Sequence, residues 1–359
     1  VPAAFLPGLE LSRRYYREVV RPIVAEGFPE LSYAAGLIGH GSEVLGLDTE
    51  RSTDHDWGPR LLIFLADDQA DRAAELKATV GDRLPETFLG FPTVFPEGTH
   101  RVAVSGIGDW LRWRLGFDPR QRLETVDWLS APTQVLAEIT GGAIFHDGLG
   151  DLGRVREQLG WYPDDLWRYL LACQWQRIGQ EEAFPGRTAQ VGDDLGSVII
   201  AARLARDVVR LCLLMARTYP PYSKWLGSAF ARLPIAETVG PRLSEALAAR
   251  DWPARERHLN AAYVEVARAH NALELTEPLD PEPVQFWDRP FFVPAGERFT
   301  EALRATITDP ALRRLPPIGA VDHFIDSTDA VNQYEVRAAA VAAVLRQAGD
   351  QEPVAAETA

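Results

Sequence analysis

The chain has 359 residues, 46% hydrophobic and 25% charged, an ordinary globular composition that excludes a disordered, collagenous or coiled-coil bulk. Acidic residues number 51 against 37 basic ones, a formal charge of −14 whose field repels a phosphate backbone and leaves nucleic acid unsupported as a partner. The two cysteines, Cys173 and Cys212, exclude a disulfide-built scaffold. With no apolar run of 18 residues and no signal-peptide layout at the start, a cytoplasmic setting off the membrane is the expectation.

Residues 9–26 predict an amphipathic helix with Leu11, Tyr15, Val19 and Ile23 on one stripe. Strands are expected at 34–39 and 55–65, then a helix over 67–82 whose acidic first turn and late Gly81 suit its dipole. The Pro-, Gly- and Phe-rich stretch 83–100 reads as a long loop, HRVAVSG at 100–106 as a strand, and 107–115 as a Trp-rich helix. GGAIFHDG at 141–148 reads as a structural turn.

From Asp127 onward helical patterns dominate, at 131–139, 151–159, 163–183, 193–218, 222–233, 240–249, 254–273 and 297–306. Asp193 or Asp194, and Asp164 or Asp165, are placed to cap the helices they precede. The fold class expected is α+β: a small mixed-sheet domain over 1–150, a larger all-helical domain over 151–345, and a fraying tail at 346–359. The boundary falls in the turn residues HDGLGDLG.

One constellation has sharp chemical meaning. Gly41 and Ser42 follow an apolar strand, where a small residue lets a triphosphate approach backbone N–H groups and a hydroxyl adds one further donor. After a spacer of eleven residues come Asp54-His55-Asp56. Two carboxylates two apart on a strand share a face and make a hard-oxygen site for Mg²⁺, with Mn²⁺ as an alternative.

This pattern of a Gly-Ser pair, a spacer and an acidic-x-acidic pair opening a strand resembles the DNA polymerase beta-like nucleotidyltransferase superfamily. FLPGLELSRRYY, STDHDWGPR, WYPDDLW, YPPYSKWLG, the pair His270-Asn271 and RPF at 289–291 resemble, more narrowly, the bacterial family DUF4037. The helical second half is similar to the C-terminal region of aminoglycoside nucleotidyltransferases. The resemblance implies a Mg²⁺-dependent enzyme that moves an NMP from an NTP, ATP first, to an acceptor hydroxyl, and the net negative charge favours a small acceptor such as an aminoglycoside-like amine. It also implies a third carboxylate on a later strand. The strand at 101–105 carries no acid, and Asp109 just beyond it is the first choice. The rival reading is a catalytically weak Mg-NTP sensor or protein-interaction module that needs only Asp54 and Asp56.

Further nucleotide contacts are expected from the helical half. Lys224, after the rigid Pro220-Pro221 segment, has the reach to meet a phosphate as a point charge, and Tyr222 beside it offers a stacking surface. Arg203, Arg206 and Arg210 form one basic stripe, suited to phosphate or to salt bridges with acids of 163–182. Glu181 or Glu182 is a minor candidate for a general base. Arg289, His270 and Asn271 read as residues satisfying buried hydrogen bonds. The acceptor is expected between the two domains, and nothing in the sequence bears on oligomeric state.

Overall fold

The computed structural model describes residues 5–54, 57–94 and 98–350, with Asp54 and residues 347–350 described by their backbone only. Two compact units divide the chain. The first comprises residues 1–123 and 135–160, the second residues 124–134 and 161–359.

The first unit opens with helix α1 (Gly8–Tyr15), a π-helical turn at Tyr16–Val20 and helix α2 (Arg21–Gly27). Of the predicted stripe Leu11, Tyr15 and Ile23 are buried and Val19 is half-buried, because the wide turn brings Tyr16 and Val20 into the core instead. Strands β1 (Tyr33–Leu37) and β2 (Leu61–Leu65) follow. Between β2 and helix α3 (Ala73–Asp82) the chain makes a 3₁₀ segment, Asp67–Arg72. The stretch read as a long loop contains a short hairpin, β3 (Thr87–Phe88) with β4 (Phe91–Pro92). Strand β5 (Val102–Gly106) leads directly into helix α4 (Ile107–Leu115).

Helix α5 (Thr125–Ser130) belongs to the second unit; helix α6 (Thr133–Thr140), strand β6 (Ala143–Asp147) and helix α7 (Asp151–Gln158) complete the first, apart from the opening residues of α6. The main sheet has the order β5-β2-β1-β6, with β2 and β5 parallel and the other pairs antiparallel. GGAIFHDG is therefore a strand rather than a turn. Its residues are half-exposed because β6 is an edge, which blurs the alternation that marks a strand in sequence. Pairing of β6 with β1 also draws residues 135–160 into the first unit, so the single cut expected near 150 becomes a discontinuous division.

The second unit is helical: α8 (Asp164–Glu181), α9 (Phe184–Gln190), α10 (Asp194–Met215), α11 (Ser223–Phe230), α12 (Ala236–Ala248) and α13 (Trp252–Asn271). A two-stranded hairpin, β7 (Val284–Gln285) with β8 (Phe292–Val293), precedes α14 (Gly296–Ala305) and the short α15 (Pro310–Arg314), α16 (Val321–Phe324) and α17 (Thr328–Asn332). Helix α18 (Tyr334–Asp350) packs on α5 and continues past the expected start of fraying at 346; residues 351–359 lie outside the described chain. The α+β class is thus the observed one.

In the second unit Trp175 is fully buried and stacks on Phe299 with ring centroids 4.1 Å apart. The Trp175 indole N–H donates to His270 Nδ1 at 3.2 Å, and burial pushes the His270 imidazole down to about 4. Asn271 closes two hydrogen bonds with Leu279, so both late polar residues satisfy interior groups as expected. Asp193 caps α10 through the Gly196 N–H at 2.8 Å. Asp165 does not cap α8; its carboxylate accepts from the Thr308 and Asp309 N–H groups at 3.0 and 2.7 Å, fastening the turn before α15. Cys173 and Cys212 are buried free thiols.

Candidate nucleotide site in the first unit

The register fixes which residues share one end of the sheet. Leu37 at the end of β1 lies opposite Ala143 at the start of β6, Gly36 opposite Leu62, and Leu61 opposite Val102. The loop leaving β1 and the approaches to β2, β5 and β6 therefore converge at this end.

The loop at 39–46 is irregular. Gly39, Gly41 and Gly46 all have positive φ, at 84°, 127° and 62°. Turn bonds run from Val44 N–H to Gly41 O (3.2 Å), Gly46 N–H to Glu43 O (3.0 Å) and Leu47 N–H to Ser42 O (2.8 Å). The N–H groups of Gly41, Ser42 and Glu43 hydrogen-bond no acceptor among the described residues. Successive free N–H groups in a loop of positive-φ glycines form a concavity suited to anions.

Charged side chains line the same loop. Arg60, immediately before β2, pairs with Glu43 at 2.6 Å and also donates to the His40 carbonyl. A Cβ built on Gly41 would lie 2.5–2.6 Å from Arg60 Nη2 and the Glu43 carboxylate. The φ of 127° is what calls for glycine here, and a side chain would in addition have to displace the ends of the Arg60–Glu43 pair. Arg114 pairs with the buried carboxylate of Glu138 and meets His40 Nε2 at 3.1 Å. Trp113 stands edge-on to His40 with ring centroids 6.2 Å apart.

The expected metal ligands are only partly described. Asp54 ends a 3₁₀ turn, Glu50–Asp54, rather than opening a strand, since β2 begins at Leu61. Gly58 and Pro59 intervene, and proline withholds a ladder donor there. Asp56 lies outside the described residues. Among the described residues no group of three or more His, Cys, Asp or Glu is arranged to hold a metal ion.

Asp109 is placed at the opposite end of the sheet. It follows the C-terminal end of β5 in the first turn of α4, roughly 15 Å along five strand residues from the loop end. Its carboxylate pairs with Arg112 at 2.7 Å and is mostly exposed. Helix α4 runs back along the sheet, with Trp110 edge-on to Phe64 at 5.1 Å, so its far end brings Arg114 to the loop. At Asp109's end a second charged cluster forms instead. Arg120 pairs there with Asp67 and Asp118 at 2.6 Å each and with Asp151 at 3.1 Å, and the Asp67 carboxylate also accepts from the Gly108 N–H.

In the second unit, Lys224 is exposed in the first turn of α11 with its ammonium 4.8 Å from the Trp225 ring centroid, and Tyr222 just before it is exposed. Tyr219 does not project with Tyr222: it is buried against Trp161 and Tyr162 at 4.7 and 5.2 Å. Two arginines of the α10 stripe are engaged. Arg203 makes a two-pronged bond to Glu181 at 2.7 and 3.0 Å, and Arg206 pairs with Asp326 at 3.1 Å. The Arg210 side chain faces Asp322, whose carboxyl burial pushes up and the Arg210 charge draws back down. Glu182 accepts from the Gly296 N–H at 2.9 Å, and burial pushes its carboxyl up to about 7. Arg289 is exposed, contrary to the interior role expected of it, because the β7–β8 turn carries it out to solvent.

Gly41, Ser42, Asp54 and Asp56 are marked in the sequence as site residues, whereas Arg60, Glu43, Arg114 and Glu138 carry no motif of their own. A signal existed for one pair: Trp110 and Arg114 are four apart and share a face of α4. Glu43 and Arg60 are joined only through the sheet register.

Residues 128–226, from α5 to α11, match the model of a family described as "Domain of unknown function (DUF4037)". Among solved structures the chain is similar to the crystal structure of a nucleotidyltransferase-like protein from Exiguobacterium sibiricum 255-15. The two share 15% identity over 77% of this chain and 82% of that one, with a TM-score of 0.31. No curated protein matches the chain.

Proposed function

We propose that this protein is a nucleotidyltransferase that moves an NMP from an NTP, ATP first, to a hydroxyl of a small acceptor. The observation that supports the reading best is the loop after β1, where three successive N–H groups free of acceptors among the described residues stand beside Arg60 and Arg114. In this reading the triphosphate lies over Gly41 and Ser42, with the Ser42 hydroxyl adding a donor. Arg60 and Arg114 hold the positive field while their carboxylate partners keep them oriented.

Asp54 and Asp56 are the residues that would hold Mg²⁺ or Mn²⁺; carboxylate oxygens are the donors such hard cations take, and the bound metal would supply charge neutralisation and acidify an acceptor hydroxyl. The chain's residues supply positioning for in-line attack. The net charge of −14 favours a cationic acceptor such as an amino sugar.

The placement of Asp109 favours a second reading, NTP binding without transfer, in which the protein acts as a sensor or interaction module. One assay separates the two: labelled ATP with Mg²⁺, scored for pyrophosphate release with and without a panel of amino sugars. Acceptor-dependent release supports the transferase. Saturable ATP binding with no release across the panel supports the sensor, and absence of ATP binding removes both.

A further inference from the structure

The second unit carries a groove of about 730 Å³, a volume within the range of small-molecule sites. Helix α9 provides one wall through Phe184, Arg187 and Gln190. Ile200 of α10 and Arg289 of the β7–β8 turn provide the other side, with Val191 at the end of α9.

Two features mark it as a ligand site. The first is charge. Arg203 and Arg206, on the neighbouring helix, are each paired with a carboxylate, whereas neither Arg187 nor Arg289 has a carboxylate partner among the described residues, and no acid lines the groove. Two guanidinium groups thus face one concavity with their charge uncompensated, a local field opposite in sign to the net charge of the chain. Arg289 is held by a neutral acceptor, the Gln190 side-chain oxygen at 3.2 Å, which orients the guanidinium without cancelling its charge. The Arg187 guanidinium stands 5.7 Å from the Phe184 ring centroid, a contact that likewise leaves the charge intact.

The second feature is apolar surface beside those charges. Phe184 is 39% exposed and Val191 81% exposed, although both are large hydrophobic residues. An apolar wall beside two guanidinium forks matches a molecule with an oxyanion head and an apolar body.

We infer that this groove binds an amphipathic organic oxyanion, with its phosphate or carboxylate head between Arg187 and Arg289 and its apolar body on Phe184, Val191 and Ile200. The site is separate from the loop at Gly41 and does not depend on the nucleotide reading.

Calorimetry on the full chain tests it with hexyl phosphate, hexanoate, hexanol and inorganic phosphate. One hexyl oxyanion should bind per chain, at least about tenfold more tightly than hexanol or inorganic phosphate, since head and body each contribute. The tighter of hexyl phosphate and hexanoate identifies the head group. Arg187→Gln and Arg289→Gln, which keep the side-chain stem, should each weaken binding about tenfold with unchanged thermal unfolding. Arg268→Gln removes the same charge from an exposed Glu265 pair on α13 and should leave binding unchanged. The inference is overturned if the hexyl oxyanions bind no better than hexanol, if neither groove variant weakens binding, or if Arg268→Gln weakens it as much.

Discussion

Arg60 and Glu43 form a 2.6 Å ion pair beneath the loop after β1, with side chains 19% and 6% exposed. They are 17 positions apart in sequence and meet because β2 returns antiparallel to β1. The pair occupies the space that a side chain at position 41 would need, so loop shape and charge placement are a single feature.

Breaking this pair on one side leaves a buried charge without its partner. Arg60→Met is expected to destabilise the protein by about 3–5 kcal/mol, and the double variant Arg60→Met, Glu43→Leu to recover much of that loss. Gly41→Ala forces a Cβ into the pair at a φ that L-residues avoid and should cost about 1–3 kcal/mol. Urea unfolding of wild type, Arg60→Met, Glu43→Leu, their double variant and Gly41→Ala tests this, and additive effects of the two single changes at 43 and 60 would show that the pair contributes no coupling.

Asp54→Asn and Asp56→Asn should each abolish Mg²⁺-dependent ATP binding or turnover while folding is retained. Asparagine keeps the size of aspartate and removes only the charge that a hard cation requires, so the loss should fall on binding. Calorimetric titration with Mg-ATP decides the matter, and equal affinity in the wild type and both variants removes these residues from the site.

Lys224→Met keeps the stem against Trp225 while deleting the charge above that ring. A Lys224 contact to the triphosphate would make ATP affinity fall while adenosine affinity stays constant, because only the triphosphate responds to a point charge. Parallel changes for the two ligands, or no change for either, would make Lys224 a bystander.

Glu182 gives a pH signature. Its carboxyl is raised to about 7 by burial, above the ordinary glutamate value, so between those two values the folded chain binds a proton that the unfolded chain does not. The stability contributed by that proton is present at low pH and is lost as pH rises through the window from about 4.5 to about 7. Glu182→Gln keeps an oxygen acceptor for the Gly296 N–H and removes the titration. The stability of the variant relative to wild type should therefore increase between pH 5 and pH 8. Unfolding midpoints that track each other across that range would assign the pH dependence elsewhere.

The amino-acid pattern by itself determined the local architecture. The buried stripe of Leu11, Tyr15 and Ile23, the apolar run of β2, the extent of α4 and the Asp193 cap of α10 all follow from interactions within a few residues. So does the Gly41–Ser42 turn, because glycine marks a left-handed backbone directly, whereas Asp54 ends a 3₁₀ turn instead of opening the strand expected at 55–65. Tertiary structure alone decided what stands beside them. The register of four strands brings Arg60 to Glu43, the return of α4 along the sheet brings Arg114 rather than Asp109 to the loop, and pairing of β6 with β1 divides the units discontinuously. In the helical unit, α8 and α10 packing engages Arg203 with Glu181, while the β7–β8 turn places Arg289 beside Gln190. The physical reason is common to all of these: charges and edge strands carry no periodicity of their own, and their partners lie tens of residues away, where only backbone pairing and helix direction determine who meets whom.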